Sequence, residues 1–188
     1  MKHTLEIVDA IGLHPSDVRA IAAISWQAWP VAGSSLDERI EAMLRDQHDS
    51  REIRTQFALV RVDGEPVASA KTFAREIRTE AGALTVLALA GVACLESHRG
   101  CGFGRAVVNA SLDRVRGGTF EVSLFQTTTP VRPFYENLDC AAVRNPTVNT
   151  LNTAAPDARA WWDPEVMIFP GDSPTWPSGP IDLRGPAW

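Results

Sequence analysis

Arg99-Gly100-Cys101-Gly102-Phe103-Gly104-Arg105 carries the densest chemistry in the chain. Three glycines alternate between two arginines, and the loop opens into a helical pattern in which Phe103, Ala106, Val107 and Ala110 recur on one side. Glycines ahead of a helix let a ligand approach the backbone closely. They also leave the first N–H groups of the helix pointing outward without acceptors. Those donors, with the positive end of the helix dipole behind them, bind phosphate. The stretch is therefore an anion cradle flanked by Arg99 and Arg105. It is not a P-loop, because no Lys follows Gly104. Nor is it the G-x-G-x-x-G dinucleotide fingerprint, because counting from Gly100 the third glycine falls on Arg105. What remains is R-x-x-G-x-G, met by Arg99, Gly102 and Gly104.

The elements on either side give the loop its setting. Before it runs the apolar stretch Leu84–Leu95, a long strand with Gly91 in its interior, where glycine often marks a bulge or a close approach of another backbone. After it runs a helix that stops at Gly117-Gly118. With that strand and helix, the loop resembles the pyrophosphate-binding motif of the GNAT acyltransferase superfamily. Cys94 and Glu96 stand where that family usually has Val and Pro. A second stretch is similar to another GNAT signature, a short helix reading A-x-x-[FL]-Y-[EK]-x-x-G-F. Phe134, Tyr135, Glu136 and Leu138 match it, while Asp139 and Cys140 replace Gly-Phe. The two signatures come in the family's order, and the resemblance covers roughly Phe57–Val143.

The resemblance implies an α/β (α+β) fold, a GNAT-like mixed, mostly antiparallel central sheet with helices on both faces. It implies acetyl-CoA, or another short acyl-CoA, as co-substrate and no metal. The amides of Gly100, Cys101, Gly102, Phe103, Gly104 and Arg105, beside Arg99, would take the pyrophosphate. The edge formed by Val92, Ala93, Cys94 and Leu95 would pair with the pantetheine arm, and the Val92 amide would face the acyl oxygen. Tyr135, the only tyrosine in the chain, stands where the family's general acid stands. Its phenol could protonate the leaving thiolate. The family often places a Glu on the central strand as base, but Ala88 and Ala90 occupy those places here, so no base is identified. Trp26 and Trp29 would line an acceptor pocket; plain core is the alternative for both.

Composition narrows the partners. The chain has 188 residues, 45% of them hydrophobic, and a net charge of −5. That length suggests one domain with a proper core: residues 1–169 are read as the transferase domain and 170–188 as a Pro- and Gly-rich tail. The negative balance argues against a nucleic-acid partner, which wants a basic face. No apolar run is long enough to span a bilayer, so no membrane partner is expected. Cys94, Cys101 and Cys140 give an odd count without zinc spacing, and no signal peptide precedes them. They read as reduced thiols of a cytoplasmic protein. Cys94 is expected to be a small buried hydrophobe, and Cys101 to be chosen for size.

In order, the chain reads as a strand at Leu5–Val8 and a helix from Pro15 that must stop at Trp29-Pro30. A second helix is opened by the capping box Ser35-Leu36-Asp37-Glu38. Next come a strand at Phe57–Val62, a hairpin turn at Asp63-Gly64, a partner strand from Val67 to about Ile77, and the long strand from Leu84. Phe120–Phe125 is the following strand, joined through a helix and so parallel to its predecessor. Arg144–Pro164 reads as loop and Glu165–Phe169 as a last strand. The tail, with Trp176 and Trp188, is expected to lack its own core and to lie across the same domain or a partner subunit. A homodimer and a monomer are the two assemblies open. The function expected is acyl transfer to a small-molecule or peptide amine. A CoA-binding regulator without turnover and an O-acyltransferase are the alternatives.

Overall fold

The computed structural model describes residues 2–47, 55–155 and 160–188. Its elements are β1 (His3–Asp9), α1 (Pro15–Ala28), α2 (Leu36–Gln47), β2 (Gln56–Val62), β3 (Glu65–Thr79), β4 (Gly82–Cys94), α3 (Phe103–Arg116), β5 (Ser123–Thr127), α4 (Arg132–Glu136), β6 (Ala141–Val143), β7 (Thr147–Val148), β8 (Glu165–Phe169) and β9 (Ile181–Asp182). The fold is the expected α/β type, a mixed and mostly antiparallel sheet flanked by helices. The chain divides into two compact units, Met1–Phe73 with Ala90–Ser111, and Ala74–Leu89 with Leu112–Trp188.

In the first unit β1, β2 and β3 form an antiparallel meander. The β2–β3 turn is Asp63-Gly64, with φ of 51° and 93°. Both residues are left-handed, which is what a two-residue hairpin needs to match strand twist. Strand alternation sends Phe57 and Leu59 to one face, where they join Leu13, Val18 and Ile21 in a buried cluster covered by α1. Ala58, Val60 and Val62 are buried on the other face. On that side His3, which pairs with Val62, lies 5.3 Å from the ring of Phe103 at the start of α3. Helices thus cover both faces here. The α2 capping box forms as expected. The Ser35 amide donates to Glu38 Oε2 (2.9 Å), and the Glu38 amide donates to Ser35 Oγ (3.2 Å).

The second unit is built on β4, β5, β8 and β6, with β9 beside β3 and β7 beside β9. Only the β4–β5 and β7–β9 pairs are parallel among those resolved into register. The first of them is the pair expected from its helical crossover. β5 starts at Ser123 rather than Phe120, because Thr119 and Phe120 still close α3. Their amides donate to the Arg114 carbonyl (2.9 and 3.3 Å), and the Arg114 guanidinium lies over the Phe120 ring at 4.9 Å.

Two expectations for the C-terminal part need correction. The stretch Arg144–Pro164, apart from 156–159, which lie outside the described residues, holds β7 and the buried Trp161. Glu165–Phe169 is followed by β9, so it is not the last strand. Ile181 and Leu183 are buried with Ile77, Val86, Val122, Leu124, Trp161 and Ile168, and Trp176 and Trp188 pack against that cluster. Trp188 meets Trp161 edge-on at 5.0 Å and donates from Nε1 to the Leu124 carbonyl (2.9 Å). The tail therefore lies across its own chain.

One charged triad ties β1, α1 and β2 together. Arg61 donates Nε–H to Glu6 (2.6 Å) and both terminal nitrogens to Asp17 (2.8 and 2.9 Å). That bond, foremost, holds the Asp17 carboxyl below its usual 3.8. A depressed carboxyl stabilises the fold above its unfolded pKa and loses that contribution as pH falls through the folded value. Thermal unfolding followed from pH 7 to 3 should show stability falling below about pH 4. Asp17→Ala should lose ~1.5–3 kcal/mol at neutral pH, lower Tm by on the order of 5 °C, and flatten the acid limb.

Candidate functional site

The site grows out of β4. Val86, Leu87, Ala88 and Leu89 are all buried, so this part of the strand is covered on both faces. Leu87 donates its amide to the Val122 carbonyl (2.9 Å), and Ser123 Oγ donates to the Leu87 carbonyl (2.8 Å). The ladder with β5 comprises Leu87–Ser123 and Ala88–Leu124. Three residues later Gly91 takes φ 57° and stands exposed. A left-handed residue inside a strand re-aims the chain and interrupts pairing. Past it, Val92 and Cys94 are half-buried and Ala93 is buried. The Leu95 amide is held by the Val67 carbonyl of β3 (2.9 Å). The segment Val92–Leu95 is thus anchored on its β3 side and lies beyond the β5 ladder.

A 3-10 turn at Glu96–His98 carries the chain into the glycine loop. Glu96 is exposed and His98 half-buried. Gly100 and Gly102 take φ of 79° and 83°, values that a side chain tolerates poorly. The Gly102 carbonyl accepts the first helical bond of α3, from Ala106 (3.0 Å). The amides of Phe103, Gly104 and Arg105 therefore belong to the first helical turn, where no intrahelical acceptor exists. Arg99, Gly100, Cys101, Gly102 and Arg105 are exposed and Gly104 is half-exposed. Phe103 alone turns inward, beneath His98 at 6.3 Å and His3 at 5.3 Å. It pins the mouth of the loop while its neighbours present backbone to solvent. Arg105 sits in the positive first turn of the helix, against the dipole's preference; a bound anion would remove that conflict.

The cysteines divide by environment. Burial raises the Cys94 thiol more than the charge of Arg99 lowers it, so Cys94 stays a thiol; it is half-buried rather than buried as expected. Cys101 is exposed in the loop. Cys140 is buried and pushed up to about 12, chiefly by desolvation.

Trp26 and Trp29 end α1. Trp26 is half-buried with the Arg39 guanidinium of α2 over its ring at 5.8 Å. Trp29, the C-cap, is 47% exposed. Between them Gln27 accepts the Glu96 amide at 3.1 Å. That bond brings the end of α1 to the link between β4 and the glycine loop. Nothing in the spacing of the sequence singled out Gln27, because its partner is distant in the chain.

Tyr135 belongs to the second unit. It is 5% exposed, packed on Phe125 at 4.7 Å and edge-on to Phe134 at 5.0 Å. Burial, then the neighbouring Cys140, pushes its phenol well above the ordinary value. Its helix is braced by a carboxylate cluster. Arg132 Nε donates to Glu136 (2.7 Å), and the nearly buried Glu165 is met by Thr129 Oγ1 (3.0 Å), Arg144 (3.3 Å) and Arg132 (3.6 Å). Those partners, Thr129 first, hold the Glu165 carboxyl below its usual range. Asp139, at the position where the GNAT signature has glycine, takes φ 63° and so turns left-handed. Asp is one of the few residues that adopts that conformation readily.

Among the described residues no group of three or more His, Cys, Asp or Glu could hold a metal ion. No described helix is long and apolar enough to cross a membrane.

Comparison with known proteins places this geometry. The family model described as the Acetyltransferase (GNAT) family matches residues 18–139. Solved structures share the fold. A GCN5-related N-acetyltransferase from Kribbella flavida is 20% identical over 74% of this chain and 33% of its own, with a TM-score of 0.57. An acetyltransferase from Trypanosoma brucei is 22% identical over 75% of this chain and 95% of its own, at 0.57. An acyl-CoA N-acyltransferase from Pseudomonas aeruginosa is 11% identical over 89% of this chain and 99% of its own, at 0.60. The chain spans 33% of the length of the Kribbella flavida protein. No curated protein matches the chain.

If the loop holds a pyrophosphate, Gly102→Glu should weaken CoA binding by about tenfold or more. It adds a charge of the wrong sign and a side chain where φ is left-handed. Calorimetric titration of CoA into the variant, with circular dichroism to confirm the fold, checks this. Unchanged affinity would move the site elsewhere.

Proposed function

The chain belongs to the GNAT acetyltransferase family, and on that premise we propose that it transfers an acetyl group from acetyl-CoA to an amine by direct attack. The observation that carries the reading is the continuity from the β4 end to the α3 amides. A strand edge past Gly91 leads through one 3-10 turn into an exposed, left-handed glycine loop. An extended pantetheine arm suits the first part and a pyrophosphate suits the second. The roles of Val92, Ala93, Cys94 and Leu95 toward pantetheine, and of Arg99 through Arg105 toward the phosphates, belong to this proposal.

The amine lone pair attacks the thioester carbonyl carbon and a tetrahedral intermediate forms. The Val92 amide donates to the oxygen as negative charge develops there, the kind of preorganised donor that lowers such barriers most. The C–S bond then breaks, and the sulfur takes the electron pair with a hydrogen bond or proton from Tyr135. The amine's own proton leaves through water or a residue of the first two helices, because Ala88 and Ala90 provide no carboxylate on the strand. That same absence favours the second reading, a CoA-binding regulator without turnover. The acceptor, a small-molecule or peptide amine, would lie against Trp26 and Trp29, in keeping with the Gln27–Glu96 bond that brings the end of α1 to the loop. A cytoplasmic, metal-free enzyme without nucleic-acid or membrane partners completes the proposal.

Free-thiol release from acetyl-CoA across a panel of amines tests it. Release with at least one amine is expected; CoA binding without release from any amine or alcohol selects the regulator. In that assay Trp29→Ala should raise KM for the amine more than KM for acetyl-CoA. Equal effects would return Trp29 to a bystander surface.

Tyr135→Phe keeps the ring in its contacts with Phe125 and Phe134 and removes the donor. The turnover number should fall ~10²–10⁴-fold with CoA affinity little changed. The loss should shrink for a donor with a more acidic thiol. Near-normal turnover would make Tyr135 a packing residue.

A further inference from the structure

β1 is an end strand of the sheet, paired with β2 alone among the described residues. Its hydrogen-bonding sides follow from its two ends. The Asp63 amide donates to the Lys2 carbonyl (3.4 Å), and the Ala10 amide donates to the Thr55 carbonyl (2.9 Å). Both pairs continue the β1–β2 register, in which His3 faces Val62 and Asp9 faces Gln56. In an antiparallel ladder every second residue exchanges bonds with the neighbour strand. Even-numbered residues therefore turn their backbone groups to β2, and His3, Leu5, Ile7 and Asp9 turn theirs to the free edge. The same four side chains share the face on which His3 meets Phe103, where Leu5 and Ile7 remain 46% and 47% exposed.

Natural edge strands are blunted by Lys, Pro, a bulge, an inward-pointing charge or a covering loop. The one inward charge of β1, Glu6, is paired with Arg61 at 2.6 Å. The sequence His-Thr-Leu-Glu-Ile-Val-Asp contains neither Lys nor Pro, and its register with β2 runs unbroken from His3 to Asp9. We propose that β1 pairs antiparallel with β1 of a second copy of this chain, about a two-fold axis through Glu6.

The sequence is self-complementary in that register alone. Leu5 falls opposite the second copy's Ile7, and Ile7 opposite its Leu5, so the two exposed apolar residues cover each other. His3 falls opposite Asp9, an imidazole N–H against a carboxylate at both ends of the ribbon. Each outward-facing residue exchanges both backbone groups with its opposite. Moving the axis to Leu5 or Ile7 leaves outward-facing groups unpaired, and a one-residue slip sets outward groups against inward ones. Closed two-fold pairing of identical edges also ends the sheet's growth, as an isologous contact must. Only Glu6 meets its own copy across the axis, an unfavourable like-charge pair. The Arg61 guanidinium bound to each (2.6 Å) blunts that repulsion. This contact is independent of acyl transfer, since it concerns mass and not turnover.

Sedimentation and light scattering of the full chain should give a dimer at micromolar concentration, and Ile7→Lys should give a folded monomer. A cysteine probe reads the register without relying on that variant's folding. Opposed residues of a non-hydrogen-bonded pair sit about 4.5 Å apart at Cα, within disulfide range. Under mild oxidation, in a Cys101→Ser background that removes the exposed thiol, Glu6→Cys should link to itself. Thr4→Cys should not, because it faces the second copy's Val8. A monomeric wild type overturns the proposal. So does a dimer that survives Ile7→Lys, or one in which Glu6→Cys fails to link or links no better than Thr4→Cys.

Discussion

The course of the chain from Ala90 to the start of α3 depends on where β4 stops being an ordinary strand. Val86 through Leu89 are sealed on both faces, and a buried backbone must have its hydrogen bonds met within the protein. Gly91 releases the chain from that requirement. At φ 57° it leaves the extended region, which costs a side-chain-bearing residue roughly 1–2 kcal/mol and costs glycine little. From there the strand keeps a partner on the β3 side through Leu95 and Val67. Its other side lies past the end of the β5 ladder. An extended chain with amide groups could pair along such a segment, which is the part the proposal gives to pantetheine. A bulky substitution at Gly91 would force the residue back toward ordinary φ and turn Val92–Leu95 away from its present course.

The glycine loop extends the same logic from strand to helix. Its left-handed turns at Gly100 and Gly102 bring the chain round so that α3 begins with its amides outward. The anchor for this arrangement is apolar. Phe103 is buried between two imidazole-bearing segments, and burying a phenylalanine is worth on the order of 1.5–3 kcal/mol. An anion at this helix end would need no lysine, because the first turn supplies several N–H donors and about half a positive charge. Arg99 and Arg105, both exposed, add charge that salt can screen. Affinity for an anion in this loop should therefore rest more on backbone geometry than on either arginine alone.

What was legible in the sequence was local. The Ser35/Glu38 capping box, the Asp63-Gly64 turn, the stop at Trp29-Pro30 and the glycine loop each follow from the preferences of adjacent residues, and the structure contains them all. The parallel β4–β5 pairing was legible because a helical crossover leaves few other choices. What was not legible came from distant partners. Nothing near Trp161, Ile181 or Leu183 marks them as core, since their burial is created by β3, β4, β5 and β8. Phe120 has the β-propensity of a strand residue, yet it is claimed by the Arg114 carbonyl and guanidinium. Gln27 gave no signal at all. Asp139 is the instructive case: it stands where the family signature has glycine and takes φ 63°, a left-handed turn that its short polar side chain tolerates.

The environment of Tyr135 refines what a phenol can do in this chemistry. A free thiol titrates near 8.5 and a free phenol near 10, so full transfer from phenol to thiolate is already uphill. Burial raises the phenol further, and each pKa unit adds about 1.4 kcal/mol. Taken alone, that would make Tyr135 a poor acid. On the proposed role, a thiolate released beside the phenol would be raised too, since desolvation disfavours every anion. The thiol's rise would then offset part of the phenol's, leaving a gap nearer that of the two free groups. Under those conditions the strongest contribution comes from a shared proton, a hydrogen bond that tightens as charge builds on sulfur. A phenol held neutral by burial throughout the working pH range is suited to that part. In the proposed reaction it would be protonated when the C–S bond begins to break, and it would carry no charge that has to be buried beforehand.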